Sequence, residues 1–263
     1  GFGFAQTLAG APELVRHYST APQTAGLLLV AAAVTRRLGH SRALPGPLLQ
    51  AVTLALWRAD RDPLSPPDGW FDEALNYAVR PLRADGVRGL ISLDDPETAD
   101  DAYRPAAYGL ANYLQQHLNR TRGADHIPDS VWEALRAHTA DVADLNELAR
   151  SADRYGRYAH AEAFHRKAAA TGDHGALCRL ARWLSEHAGR PVDVESTFRH
   201  AAAVGDPWAL GDLAGWLRSR PGREADVEAT YREAAVNGDP DALRHANPNM
   251  GRGDAYFSKQ TSK

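Results

Sequence analysis

Three Gly-Asp pairs, Gly172-Asp173, Gly205-Asp206 and Gly238-Asp239, recur at intervals of 33 residues, and the residues around them keep the same register. A fixed period of this length means one supersecondary unit per copy, and such a unit cannot bury its apolar face without a neighbour. Each copy opens with the same inward spacing: Leu145, Leu148 and Ala149; Leu177, Leu180 and Ala181; Leu210, Leu213 and Ala214. Offsets of i, i+3 and i+4 place these residues on one face of a helix. Turns follow in step at Gly156-Arg157, Gly189-Arg190 and Gly222-Arg223. A second helix then carries Ala161, Val194 and Val227, next His165, Phe198 and Tyr231, then the pairs Ala168-Ala169, Ala201-Ala202 and Ala234-Ala235. Small alanines let helices approach, glycine supplies the tight turn, and the following aspartate is a natural helix N-cap.

Residues 126–246 are therefore expected to form an α-solenoid of helix-turn-helix repeats, with the periodic region itself covering 141–246. The residues before it read as a separate helical module over 1–125. Helices are expected from Pro12 to about Tyr18, from Gln23 to Leu38, from Pro47 to about Arg58, over 70–82 and over 108–118. The second of these is apolar nearly all round, which marks it as the most buried, and Gly39 is its expected cap. On the third, Leu48, Val52, Leu54 and Trp57 give the packing face. Between the last two helices the period changes. Gly89-Leu90-Ile91-Ser92-Leu93 is β-prone, 94–101 is acidic and turn-rich, and Ala102-Tyr103-Arg104 is placed to return antiparallel. Helices with one short β-hairpin give the layout of a winged helix. The polar stretch 119–127, holding Gly123, is expected to be a hinge, with Pro128-Asp129-Ser130 starting a helix whose body is 131–138. Residues 247–263 are expected to be a disordered tail; they hold the single Met and two of the three lysines.

The chain has 263 residues, 44% of them hydrophobic, and a formal net charge of −3. That is enough apolar material for a core, and too little positive charge for a general nucleic-acid field. The apolar run 25–34 is shorter than the roughly 20 residues a membrane span needs. The lone Cys178 excludes an intrachain disulfide, and no leader pattern opens the chain, so a cytoplasmic setting is expected. Of 30 Lys and Arg residues only Lys167, Lys259 and Lys263 are lysines, the usage of a high-GC bacterial genome. A start at Gly1 without Met makes a fragment of a longer protein the expectation.

The repeat pattern aromatic-Arg-x-Ala-Ala-x-x-Gly-Asp-x-x-Ala-Leu resembles the tetratricopeptide superfamily, closest to its SEL-one-like branch. That resemblance implies a right-handed α-solenoid that binds proteins or peptides. The last copy stops after Asp241-Ala242-Leu243, an end that fits truncation or a docked partner. Upstream, Gly3-Phe4-Ala5-Gln6-Thr7-Leu8-Ala9, Arg36-Arg37-Leu38-Gly39-His40, Trp70-Phe71-Asp72-Glu73-Ala74-Leu75 and the stretch 108–117 resemble the region after the nucleotide-binding module in STAND-class signalling NTPases of high-GC bacteria. The resemblance implies a winged helix that restrains an NTPase and a superhelical arm that senses a partner. No Gly-x-x-x-x-Gly-Lys-Ser/Thr occurs in the chain, so the NTPase module is expected upstream.

Catalytic and metal patterns are missing. None of the 11 histidines forms His-Glu-x-x-His or a Cys/His cluster, and His160 and His165 are badly spaced for one helix face. His165 aligns with Phe198 and Tyr231 and is expected in an aromatic packing slot. Cys178 aligns with Gly211 in a small-residue slot and is expected to be an inert thiol. No catalytic residue, cofactor or metal site is expected. Arg36, Arg37, His40 and Arg42 form a basic cluster, explained by the C-terminal pole of a helix dipole. The alternative function, a stand-alone winged-helix DNA-binding transcription regulator, needs a basic recognition helix, whereas residues 70–82 carry Asp72 and Glu73 and the wing is acidic. A hydrolase would need His or acidic side chains gathered in a pocket.

For partner recognition the candidates are Trp183, Trp216 and Trp208, since tryptophan is enriched at interface hot spots. Packing between repeats is the competing role for Trp183 and Trp216. Arg179 and Arg182, on the helix of Trp183, would suit an acidic peptide. The chain is thus expected to be a non-catalytic regulatory and sensing arm of a larger signalling ATPase, binding a protein or peptide through its repeats. Binding would be relayed to the NTPase through 119–127.

Overall fold

A computed structural model describes residues 11–41, 43–60, 65–82, 87–93, 107–187, 191–242 and 245. Among these the chain is mainly helical, with twelve helices and three short strands. It divides into two compact units, Gly1–Ala161 and Glu162–Lys263. The expected acidic excursion at 94–101, the return strand at 102–104, the Gly189-Arg190 turn and the tail at 247–263 lie outside the described residues.

The first unit is built on α2 (Gln23–Arg37), which follows α1 (Ala11–Ser19). Nine residues of α2 are buried, including the unbroken run from Leu28 to Thr35. A helix apolar all round can only sit where other elements cover every side. Here α1, α3 (Gly46–Asp60), α4 (Trp70–Val79) and α5 (Asn112–Arg122) pack on it. Each fully buried Leu or Val contributes about 1.5–3 kcal/mol relative to exposure, so α2 is the element the unit least tolerates losing. It ends at Gly39, φ 107°, where the Gly39 amide donates to the Arg36 carbonyl and the His40 amide to that of Thr35. This left-handed cap is the one its glycine signalled. A Cβ on Gly39 would also come within 2.9 Å of the Glu147 Cβ, so two constraints coincide there.

Helix α3 starts at Gly46, so Pro47 lies in its first turn, where a missing N–H costs nothing. Leu48, Leu49, Val52, Thr53 and Ala55 are its buried residues, whereas Leu54 and Trp57, expected on the packing face, are only half-buried. Helix α4 buries Phe71, Ala74, Leu75 and Ala78 and stops at Val79, three residues before the expected end.

The sheet departs from expectation. Strand β2 (Leu90–Ser92) pairs antiparallel with β3 (Ala107–Leu110), which also pairs with β1 (Leu44–Pro45), giving the order β1-β3-β2. A helix expected from Tyr108 is therefore a strand through Leu110, and α5 begins at Asn112 and runs on to Arg122. Leu110, Leu114 and Leu118 are all buried, so their spacing of four is real, but its first member is on the sheet. Pairing with Leu44 and Leu90 decides the matter, because it satisfies backbone groups that a helix start would leave open. Residues 119–122 of the expected hinge complete α5.

Helix α6 (Asp129–His138) packs on α3 and buries Val131, Trp132 and Leu135. Helix α7 (Val142–Arg154) is capped by Asp141, whose carboxylate accepts from the Asp144 amide at 2.9 Å. Asp144 in turn accepts from the Ser41 amide at 2.8 Å and lies 3.4 Å from the His40 ring. The chain leaves the unit in α8 (Tyr158–Ala169).

In the second unit α9 (His174–His187) packs on α10 (Pro191–Ala203), and α11 (Ala209–Arg218) on α12 (Glu224–Val236). The turn glycines Gly172, Gly205 and Gly238 all take left-handed backbone, φ 80°, 102° and 93°. The aspartates beside them cap the next segment. Asp173 accepts from the Ala176 amide, Asp206 from that of Trp208, and Asp239 from those of Asp241 and Ala242. The expected inner faces at 177, 180 and 181 and at 210, 213 and 214 are buried, as are Phe198 and Tyr231 in the shared aromatic slot. Of each alanine pair, the first member is the more enclosed: Ala201 and Ala234 have no exposed surface, while Ala202 and Ala235 are half-buried.

Candidate functional site

The candidate recognition residues lie on α9, α11 and the turns before them, and the structure separates them. Trp183 is buried at 8% exposure. Its ring stacks on His187, centroids 4.8 Å apart, and meets His165 at 5.9 Å. It is packed between α8 and the last turn of its own helix. Trp216 is half-buried beneath Arg220, whose guanidinium lies 3.9 Å from the ring centroid, a cation–π contact. Trp208 differs: it stands at the start of α11 with 54% of its surface exposed.

Both arginines already have partners within the unit. Arg179 lies 3.3 Å from Asp173. Arg182 donates through Nε, at 2.8 Å, and through Nη2 to the same oxygen of Asp212. Burial works against the Arg182 charge, and the Asp212 carboxylate more than offsets this and holds the guanidinium above its ordinary range. An acidic peptide would have to displace Asp173 or Asp212 to use these groups.

Cys178 donates to this same oxygen, its Sγ 3.3 Å from Asp212 Oδ2. Burial, and then the neighbouring carboxylates of Asp212 and Asp206 against the opposing Arg182, push the thiol up to about 12. The matching slot in the next copy is Gly211, where a Cβ would come within 2.3 Å of Asp239 Oδ2. Position 178 holds a small side chain, whereas one at position 211 would require the Asp239 carboxylate to shift.

Sequence reasoning missed a small cleft of about 160 Å³ beside Trp208. Asp212, Tyr231, Asp239, Asp241 and His245 share its lining. Tyr231 accepts from Arg218 and faces His245, ring centroids 5.1 Å apart. The signal was present in the period, since Asp239 repeats the capping aspartates 173 and 206. What the period did not carry is that Trp208, at the place of Gly175, would open outward beside it.

Of the remaining histidines, His126, His138, His174 and His200 are exposed. His160 stacks against Trp132 in the first unit, centroids 6.2 Å apart, and lies 3.4 Å from Asp129. The basic cluster after α2 is turned inward: Arg36 donates to the His40 carbonyl, Arg37 to that of Arg122, and His40 is buried. Arg42 lies outside the described residues. No helix among the described residues is long and apolar enough to cross a membrane. Comparison of the chain with protein-family models, with curated proteins and with solved structures found no match.

Proposed function

We propose that this chain is a non-catalytic sensing arm of a larger signalling ATPase, and that it binds a protein or peptide through the repeats of its second unit. The observation that carries the reading is the exposure of Trp208 beside a partly acidic cleft, on a scaffold whose turns recur every 33 residues with the same left-handed glycine and capping aspartate. An exposed aromatic side chain on a rigid helix start is the kind of anchor that interface hot spots use. The regular turns support a tetratricopeptide or SEL-one-like solenoid, since each copy repeats the same stacking chemistry.

In the first unit the order α2-β1-α3-α4-β2-β3, with sheet order β1-β3-β2, supports the winged-helix reading. In that reading α4 is the recognition helix, and its exposed residues include Asp72, Glu73 and Asn76. Carboxylates there would repel phosphate, so a protein surface is the better-matched neighbour than a duplex. The ATPase rests on the resemblance of the upstream segments to the STAND class.

The coding sequence upstream of Gly1 and an ATPase assay test the reading together. The expected result is a phosphate-binding Gly-rich module upstream, and an ATP hydrolysis rate that changes when residues 162–246 are removed from the full-length protein. A coding sequence without such a module overturns the ATPase assignment.

A further inference from the structure

The cleft beside Trp208, about 160 Å³, lies in a copy of the repeat that has exchanged its charges. Between positions 33 apart, His174 gives way to Pro207, Gly175 to Trp208, Cys178 to Gly211 and Arg179 to Asp212. Two basic side chains are lost, and an exposed indole and a carboxylate replace their neighbours. The capping aspartates register the difference. The ring of His174 lies 3.6 Å from Asp206 Oδ2. Asp239, at 4% exposure, has no ion-pair partner among the described residues: Oδ1 accepts from the Asp241 and Ala242 amides, and Oδ2 faces Gly211.

Asp212, Asp239 and Asp241 all line the cleft, and no lysine or arginine does. Arg182 takes only Oδ2 of Asp212, whose side chain stays 32% exposed. A buried carboxylate without a cation favours positive charge in the opening above it, and its field acts without direct contact. Trp208 supplies the other half of the site. Its amide donates to Asp206 Oδ1 at 3.0 Å, and its carbonyl accepts from the Asp212 amide at 3.0 Å, so an exposed ring stands on fixed backbone beside the carboxylates. An indole face next to carboxylates is the pairing that suits a guanidinium, which stacks on the one and donates to the other.

We propose that this cleft takes an arginine side chain of the protein or peptide that the repeats bind. The inference rests on the reading of Trp208 as an anchor and adds to it the sign of the partner's charge. The guanidinium stacks on Trp208 with its donors toward Asp212 and Asp241, and Asp239 attracts it from the floor of the cleft. Arginine suits the site better than lysine because its planar group stacks and is more weakly hydrated. The acidic peptide that Arg179 and Arg182 suggest from the sequence is mismatched, since Asp173 and Asp212 already occupy these cations and the cleft beside them is acidic.

The indole Nε1 resonance of Trp208 in the whole chain, assigned as the one missing in Trp208→Phe, reports binding. N-acetylarginine methylamide should move it saturably, with a dissociation constant on the order of millimolar for a ligand of this size. The uncharged isostere N-acetylcitrulline methylamide, at matched ionic strength, should bind about tenfold more weakly or worse. Asp239→Asn removes the charge but keeps the cap, because asparagine caps as well as aspartate; it should weaken the arginine compound about three- to tenfold and leave the citrulline compound unchanged. Should that variant fail to fold, as judged by circular dichroism, Asp241→Asn at the exposed rim should weaken the arginine compound in the same way. Absence of a saturable shift overturns the proposal, as does equal affinity for the two compounds, full arginine affinity in the folded aspartate variant, or tighter binding of N-acetylglutamate methylamide. A repeat-bound partner that loses affinity in Trp208→Ala, while the resonance ignores the arginine compound, leaves the anchor standing and overturns the arginine site alone. A partner indifferent to Trp208→Ala overturns both.

Discussion

His17 and Tyr77 lie face to face, ring centroids 4.1 Å apart and planes 3° from parallel, and each bonds the other's backbone. The Tyr77 hydroxyl donates to the His17 carbonyl at 2.8 Å, and His17 Nε2 donates to the Tyr77 carbonyl at 3.2 Å. This pair ties α1 to α4 across 60 residues of sequence. Burial, and then the nearby charge of Arg80, outweigh the Tyr77 carbonyl and lower the His17 pKa below its ordinary 6.5.

The sign of the pH dependence follows. The unfolded chain takes up the His17 proton more readily than the folded one, so the contribution is intact above 6.5 and is lost as pH falls through the lowered folded value. Urea unfolding midpoints of the wild type should drop between pH 8 and pH 5, with a smaller drop in His17→Gln. Tyr77→Phe, which deletes only the hydroxyl donor, should cost about 1 kcal/mol at pH 8. An unchanged pH slope in His17→Gln would sink the assignment.

Two glycines in the repeats should respond in opposite directions. Gly205 has φ 102°, and its amide and that of Asp206 close the end of α10 onto the Ala202 and Ala201 carbonyls. Alanine there is forced toward left-handed backbone, a loss of about 1–2 kcal/mol. Gly215 lies inside α11, and the place a Cβ would take there has no neighbouring atom within 4 Å. Gly215→Ala should gain about 0.5–1 kcal/mol through helix propensity alone. Chemical denaturation of the two variants checks both, and a destabilised Gly215→Ala would show that the space is filled.

These glycines also mark what the sequence makes legible. Period and turn chemistry are local, so the left-handed positions 172, 205 and 238 and the buried leucines beside them could be read directly, as could α2 from its unbroken apolar run. Strand β3 could not, because Leu110, Leu114 and Leu118 have helical spacing. Only pairing with Leu44 and Leu90, far away in sequence, makes 107–110 a strand. Two-residue β1 has no local signature at all. In the candidate site the period aligns Trp183 with Trp216 but says nothing of solvent. Nor does it announce that Arg182 meets Asp212, 30 residues on. Opposite charges on equivalent helices of adjacent copies were the available clue.

Cys178 should behave as a protected thiol. With its pKa near 12, only about one molecule in ten thousand carries the reactive thiolate at pH 8, against roughly a quarter for a free cysteine. Alkylation by iodoacetamide should therefore be slower in the native protein than in urea by about a hundredfold or more. Asp212→Asn removes a charge that raises the thiol and frees Arg182, which lowers it, so labelling should accelerate about fivefold or more. Mass spectrometry of the time course gives both rates. Native labelling as fast as in urea would mean that the thiol is open.

The three tryptophans of the repeats should separate by the variable the sequence did not reveal, their exposure. Trp183, buried between His165 and His187, should cost about 3–5 kcal/mol on Trp183→Ala, the range for deleting a large aromatic side chain from a core. Trp208, with half its surface in solvent, should change stability by no more than about 0.5 kcal/mol. Trp216 should fall between, because Trp216→Ala removes a half-buried ring and the cation–π partner of Arg220. Arg220→Ala alone should cost about 0.5–1 kcal/mol. If Trp208 anchors a partner as proposed, Trp208→Ala is then the informative variant: it should weaken partner binding by about tenfold or more while its urea midpoint stays within error of the wild type. A variant that keeps full affinity for a repeat-bound partner would remove Trp208 from the interface, and a loss of stability as large as that of Trp183→Ala would make its exposure irrelevant to recognition.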